Sequence, residues 1–190
     1  MPEHAHDSRG ASTSELRTPR VQDWDSWPFT GGVEPKPLRD PEPEPDRNGE
    51  GARACEACDK PDAEYIWTST NWRLHAFPRS GLPFVAILEP REHVDGPRDL
   101  SDTMLAEMGV MLARVERAVL TIQSIERVHI LRYGEGAAHL HWWFMARPTG
   151  LRQLASGFAM IWDDVLPTTP EAAWNANVAI VANAMNTGGA

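Results

Sequence analysis

Residues 139–148 read HLHWWFMARP and carry the strongest structural signal in this chain. Large apolar side chains dominate the segment, and two histidines alternate with apolar residues at its beginning. This composition predicts a β-strand over residues 139–145. Because side chains two positions apart on a strand point to the same face, His139, His141 and Trp143 are expected side by side.

Short apolar segments predict four more strands before this one, and those segments share polar or glycine-containing boundaries. These strands are expected over residues 64–68, 72–77, 83–90 and 127–133. The segment over 83–90 is an almost unbroken apolar run, which is typical of a central strand. The last two strands of the chain are joined by Gly134-Glu135-Gly136.

Three helices are predicted around these strands. Apolar residues recur every three or four positions from Met104 to Ile122, which predicts an amphipathic helix over 101–123 with Ser101 as its N-cap. A second helix is expected over 150–164. A third is expected to start at Thr169-Pro170, a cap followed by proline at the first helical position, and to end near Gly188. Helices beside a mainly antiparallel sheet indicate an α+β domain.

The first 52 residues differ in composition from the rest of the chain. They contain 8 of the 16 prolines, and prolines alternate with charged residues between Glu34 and Pro45. Such a segment has little apolar surface to offset the entropy lost on ordering. We therefore predict a disordered tail over residues 1–52 and a folded domain over 53–187. Two tryptophans, Trp24 and Trp27, are the exception, since they could dock on the domain.

Charge and hydropathy limit the classes of partner. The formal net charge is −9 at pH 7 and no basic cluster interrupts it, which argues against binding to nucleic acid or to an anionic membrane. No apolar run approaches the roughly 20 residues that span a bilayer. The first residues lack the basic and apolar segments of a secretory signal. A cytoplasmic protein is expected.

The two cysteines, Cys55 and Cys58, are two residues apart and precede strand-like sequence. In a cytosolic chain this spacing indicates metal binding or redox chemistry, and the absence of a preceding strand favours metal. A structural zinc ion needs four ligands. His93, His139 and His141 are the candidates for the other two positions, and spacing alone leaves the choice open.

The remaining four histidines have simpler explanations. His4 and His6 lie in the predicted tail. His75 is in the middle of a strand and is expected to be half-buried without a functional role. His129 alternates with apolar neighbours and is expected on the polar face of its strand.

The segment 139–148 resembles the signature strand of the histidine triad (HIT) superfamily, in which histidines alternate with apolar residues before an Arg-Pro ending. Residues 89–94, Glu-Pro-Arg-Glu-His-Val, resemble the turn that follows a central strand in that family. A long amphipathic helix lies between the two segments, as it does in the family. The resemblance implies a HIT-like fold with a mainly antiparallel five-stranded sheet, and a homodimer.

The resemblance also implies a set of metal ligands and a nucleophile. Zinc-containing bacterial members have a CxxC pair near the start of the domain, which together with the turn histidine and the first signature histidine holds the metal. These positions are Cys55, Cys58, His93 and His139 here. The middle histidine of the signature is the nucleophile of the family, and it corresponds to His141.

Two departures from the family pattern affect the catalytic site. Trp143 stands where the family has its third histidine, and an indole cannot shuttle a proton. The Trp143 ring could stack on a base or only fill space. The loop of Gly134, Glu135 and Gly136 is shorter than the phosphate-contacting loop of the family. Its backbone N–H groups could hold a phosphate, or the loop could be a plain hairpin turn.

The resemblance therefore implies a hydrolase or transferase that forms a nucleotidyl-histidine intermediate. Its expected substrate is a nucleotide phosphoramidate, a dinucleoside polyphosphate or a related conjugate. The alternative is a zinc-stabilised module that binds a nucleotide or another ligand and has lost turnover.

Overall fold

Five antiparallel strands form one sheet in the computed structural model, which describes residues 24–31, 36–155 and 157–188. The strands are β1 (Trp67–Thr68), β2 (Trp72–Ala76), β3 (Val85–Pro90), β4 (Ile125–Leu131) and β5 (Trp142–Pro148). Their order across the sheet is β1-β2-β3-β5-β4. The predicted α+β fold with a five-stranded antiparallel sheet is confirmed.

The helices are α1 (Glu56–Asp59), α2 (Asp102–Val119), α3 (Phe158–Val165) and α4 (Glu171–Thr187). Ser101 caps α2 as predicted, because its side chain accepts a hydrogen bond from the Met104 N–H. The helix ends at Val119, four residues earlier than predicted. Ile122 is nevertheless buried, since the turn after the helix returns it to the core.

Alternation along the strands gives the sheet two different faces. One face carries apolar side chains, including Leu74, Leu88 and Phe144, which pack against α2 and α4 in the main core. The other face carries several polar side chains in its centre, among them His75 and Glu89. This second face is covered by the segment around α1 at one end and by α3 at the other.

Two further predicted elements have different bounds in the structure. β5 begins at Trp142, so His139 and His141 lie in the segment before the strand, where the Leu140 N–H is bonded to the Val94 carbonyl. The helix predicted over 150–164 is reduced to α3 with a short 3-10 turn before it.

The segment before the domain makes contacts in its described parts. Trp24 and Trp27 both pack edge-on against Phe158 of α3, and the Trp162 indole N–H donates to the Ser26 carbonyl at 2.8 Å. The two tryptophans that could dock on the domain do so here. The tail over 1–52 and the boundary at residue 53 stay predictions, and residues 1–23 and 32–35 lie outside the described residues.

Closer to the domain, Arg47 binds the Asp95 carboxylate at 2.8 Å and the Gly134 carbonyl at 2.8 Å. Asn48 pairs with the loop before β5, since its N–H donates to Gly136 and its carbonyl accepts from Ala138. Residues 47 and 48 therefore contact the domain although they precede its predicted start. Within the described part of the chain, no helix has the length and apolar character needed to cross a membrane.

Candidate functional site

Two cysteines and two histidines converge at the edge of the sheet. The potential ligand atoms of Cys55, Cys58, His93 and His139 all lie within 4.8 Å of one another. Cys55 Sγ and Cys58 Sγ are 3.4 Å and 3.6 Å from His139 Nδ1, and Cys58 Sγ is 3.4 Å from His93 Nδ1. Tetrahedral zinc with its usual bond lengths would set sulfur and nitrogen ligands about 3.6 Å apart. The four side chains therefore fit a structural zinc ion.

A contact with a backbone carbonyl leaves one ring nitrogen of His139 available to bind a metal. Its Nε2 lies 2.9 Å from the Pro90 carbonyl, so Nε2 carries the proton and Nδ1 is left as the ligand atom. The side chain is buried, and this burial lowers the pKa of His139, which favours the neutral form that metals bind. Predicted ligands from three distant parts of the chain thus meet at one point.

The cysteine thiols need a cation to become ligands. In the protein without metal, burial and the neighbouring Cys55 raise the pKa of Cys58 from 9.0 to about 11. A zinc ion reverses this situation, because its positive charge stabilises the thiolate. The donor set of two sulfurs and two imidazole nitrogens suits zinc.

Gly49 packs directly against the cluster. Its backbone has φ +79°, and a Cβ at this position would be 2.9 Å from His93 Cε1 and 3.2 Å from Cys55 Sγ. Only glycine fits here, for both conformational and steric reasons. Gly49 was not predicted as part of the site, because it lies in the segment predicted to be a tail.

A buried ion pair attaches α1 to the sheet beneath the metal cluster. Arg73 of β2 donates to the Ala57 carbonyl at 2.7 Å and to Glu89 of β3 at 3.3 Å. Both charged side chains are only 5% exposed. The Tyr65 hydroxyl donates to the same Glu89 oxygen as Arg73, and burial raises the pKa of Tyr65. Because the Arg73 guanidinium binds both α1 and β3, it fixes the segment that carries Cys55 and Cys58.

A cavity of about 410 Å³ opens next to the metal cluster, on the polar face of the sheet. His141 lines it, and His141 Nδ1 lies 2.7 Å from the His139 carbonyl. Nδ1 therefore carries the proton, and Nε2 is the ring nitrogen with no hydrogen-bond partner among the described residues. Arg53 and Lys60 also line the cavity, which adds positive charge near the imidazole.

Trp143 lines the same cavity in the position of the third signature histidine. Its ring packs on Phe77 with centroids 4.7 Å apart, and lies 6.4 Å from the His141 ring. The indole N–H is buried without a hydrogen-bond partner in the described structure. Trp143 therefore acts as an apolar wall and leaves the cavity without a donor at this position.

The predicted phosphate loop is divided between two sites. Gly136 lines the cavity of His141 together with Ala137, whereas Gly134 and Glu135 line a separate surface pocket with Arg47. The N–H groups of residues 136 and 137 make no hydrogen bond to other described residues. Phosphate binding by Gly134, Glu135, Gly136 and Trp143 stays a prediction. Of these four residues, only Gly136 and Trp143 line the cavity of His141.

The structure also places two unpredicted polar residues in the cavity, His75 and Glu89. Neither had been assigned a role from the sequence. Their position follows from the pairing of β2 with β3, in which Arg73 lies opposite Glu89 and His75 lies opposite Ile87 on one face. Alternation along each strand predicts the face but cannot predict this register.

No protein-family model and no curated protein matches the chain. Solved structures do match. A histidine triad protein from Bradyrhizobium japonicum is similar with a TM-score of 0.53 and 21% identity, over 64% of this chain and 89% of its own. One from Marinobacter aquaeolei has a TM-score of 0.52 and 13% identity, over 65% and 90%.

A third match is a hypothetical histidine triad nucleotide-binding protein from Sulfolobus tokodaii. Its TM-score is 0.52 with 11% identity, over 70% of this chain and 92% of its own. The chain therefore has the fold of the histidine triad proteins, as the resemblance of residues 89–94 and 139–148 implied. On this fold, the cluster of two cysteines and two histidines forms a structural zinc site.

Proposed function

We propose that this protein is a nucleotidyl hydrolase or transferase with His141 as its nucleophile. The observation that carries the proposal is the 2.7 Å contact between His141 Nδ1 and the His139 carbonyl. This contact fixes the tautomer, so that the lone pair of the ring is on Nε2. A neutral imidazole of this kind is a competent nucleophile toward phosphorus.

Zinc supports this arrangement indirectly. The side chain of His139 would be one of the four zinc ligands, and the carbonyl of the same residue orients His141. A zinc ion bound there would fix the His139 imidazole, and the His139 carbonyl would then hold His141 in position. In this proposal the metal does not contact the substrate.

The reaction has two displacements at the α-phosphorus. His141 Nε2 forms a bond to phosphorus while the bond from phosphorus to the leaving group breaks. Water, or another acceptor hydroxyl, then attacks phosphorus, the Nε2–phosphorus bond breaks and the nucleotide is released. Arg53, Lys60 and the free N–H groups of Gly136 and Ala137 supply positive charge and donors for the phosphate oxygens.

The proposed substrates are nucleotide phosphoramidates, dinucleoside polyphosphates or related conjugates. A cavity of about 410 Å³ falls within the range of small-molecule sites. The match to a structure described as nucleotide-binding is consistent with this class. The homodimer that the resemblance implies is part of the same proposal.

The test is turnover of a substrate panel by zinc-loaded protein. Adenosine and guanosine 5′-phosphoramidates and the corresponding dinucleoside polyphosphates would be incubated with the protein, and release of nucleoside monophosphate would be measured. We expect turnover that His141→Ala lowers by about 10³-fold or more.

His129→Ala is the matched control, because His129 is half-buried on the same face of the sheet but bonds to the Leu154 carbonyl outside the cavity. This variant should keep full activity. Equal activity of His141→Ala and wild-type protein would contradict the proposal.

One observation favours a second candidate, a binding module without turnover. Trp143 stands where the family has a histidine that can carry a proton, and its apolar ring packs on Phe77. Under this alternative, wild-type protein binds nucleoside monophosphates at equilibrium but consumes none of the substrate panel. Trp143→His would then gain turnover if the missing proton donor were the only defect.

A further inference from the structure

A second histidine lies in the cavity of His141 and has an acidic partner. His75 Nε2 is 3.8 Å from Glu89 Oε2. The two side chains are 13% and 5% exposed, so this pair is nearly enclosed by protein. Both residues nevertheless line the cavity, which gives the pair access to a bound ligand.

The hydrogen bonds of Glu89 leave one of its oxygens free. Oε1 accepts from the Tyr65 hydroxyl and from Arg73, whose charge offsets that of the carboxylate. Oε2 accepts no hydrogen bond from another described residue, and His75 Nε2 is the nearest imidazole nitrogen. At 3.8 Å no hydrogen bond joins them, so the carboxylate favours the protonated imidazole through its charge and leaves the Nε2–H free. The ring is oriented from its other side, because His75 Nδ1 lies 3.3 Å from the Ala76 carbonyl.

The proposed reaction needs a proton donor that Trp143 cannot provide. When phosphorus loses an alkylamine, the departing nitrogen must gain a proton as its bond to phosphorus breaks. Among the other cavity residues, the cationic side chains of an arginine and a lysine ordinarily keep their protons near neutral pH. The side chain of Glu56 is exposed and accepts hydrogen bonds when ionised. An imidazole is the side chain suited to exchange a proton near neutral pH.

We propose that His75, with its protonated form stabilised by the charge of Glu89, donates the proton to the leaving group. This inference rests on the proposed function. As His141 Nε2 bonds to phosphorus and the phosphorus–nitrogen bond breaks, the proton on His75 Nε2 moves to the departing nitrogen. Neutral His75 then takes a proton from the water that attacks the nucleotidyl-histidine, so the imidazole returns to its starting state.

In the protein without a bound ligand, burial favours the neutral form of His75. Burial lowers the pKa of His75, with Lys60 acting in the same direction and Glu89 in the opposite one. A bound phosphate adds a second negative charge to the cavity and favours the protonated imidazole at the moment when the proton is needed.

The dependence on leaving group tests this role directly. Two pairs of substrates would be compared, adenosine and guanosine 5′-phosphates that carry either an alkylamide or a 4-nitrophenyl ester. Nitrophenolate leaves without protonation, whereas an alkylamine does not. His75→Gln should lower kcat/KM for the alkylamides by about 10²-fold or more and should change that for the nitrophenyl esters less than about 3-fold.

His129→Gln is the matched control and should leave both values unchanged, because this histidine lies outside the cavity. Zinc content and melting temperature would show whether His75→Gln is folded. His75→Asn, a smaller amide, would replace it if it is not. In wild-type protein, rates across a series of anilides should depend only weakly on the pKa of the aniline, and the variant should show a steep dependence.

An equal loss on both kinds of substrate would overturn the proposal, since it would indicate a structural role for His75. Unchanged activity of the variant on alkylamides would overturn it as well. Failure of the proposed function would give a different result, because wild-type protein would then be inert to all four compounds. The role assigned to His75 would fail with it.

Discussion

Replacing His139 by alanine should destabilise the domain and remove zinc, whereas replacing His141 should do neither to a comparable extent. The His139 side chain is 1% exposed and bonds to the Pro90 carbonyl at 2.9 Å. Its loss leaves that buried carbonyl without a partner, which costs about 1–3 kcal/mol. The empty volume and the missing metal ligand add to this cost.

We therefore expect a loss of about 3 kcal/mol or more for His139→Ala. In a domain of this size, about 3 kcal/mol corresponds to a fall of roughly 6–12 °C in melting temperature. His141 is half-buried and contributes one hydrogen bond to a backbone carbonyl. Its removal should cost about 1 kcal/mol, or roughly 2–4 °C.

The assay is thermal unfolding of both variants, combined with metal analysis of the purified proteins. Wild-type protein and His141→Ala should contain one zinc ion per chain, and His139→Ala should contain less. Full zinc content and the wild-type melting temperature in His139→Ala would contradict the assignment of His139 as a ligand, and so would loss of zinc from His141→Ala.

Three further outcomes follow from the same site. Arg73→Met should lower the free energy of unfolding by about 3–5 kcal/mol in urea titrations, because it leaves Glu89 charged and buried; a change below about 1 kcal/mol would contradict this. Gly49→Ala should weaken zinc binding in a competition assay with a chelator, whereas Gly136→Ala, with open space at its Cβ, should not; equal affinities would count against the assigned packing. Metal-free protein should lose stability as the pH rises from 9.0 toward 11, because the folded state retains the Cys58 proton that the unfolded chain has released. Zinc-loaded protein should lack this loss, and identical pH profiles of unfolding with and without zinc would oppose the assignment.

Local patterns predicted the elements of this fold well, because hydrophobic periodicity reflects which face of an element is buried. The apolar run over residues 83–90, which predicted a central strand, and the spacing of apolar residues after Ser101 are examples. The ends of elements were predicted less well. β5 starts only at Trp142, because Leu140 bonds to the Val94 carbonyl, a contact between distant segments that no local pattern contains.

The metal ligands were predicted from a resemblance, and the structure brings all four together. Gly49, His75 and Glu89 were missed for a common physical reason. Each acquires its importance from a partner far away in the sequence, as Gly49 does from His93 and His75 from Glu89. Strand register and loop packing create these contacts, and neither can be derived from composition or periodicity.

The most direct test of the central claim is the identity of the residue that becomes covalently attached to the nucleotide. Zinc-loaded protein would be mixed with adenosine or guanosine 5′-fluorophosphate, quenched under mildly alkaline conditions, and examined by intact mass and peptide mapping. We expect one nucleotidyl group per chain, bonded to His141 and absent from His141→Ala. An adduct on another residue, or no adduct from a protein that turns over the same compound, would contradict it.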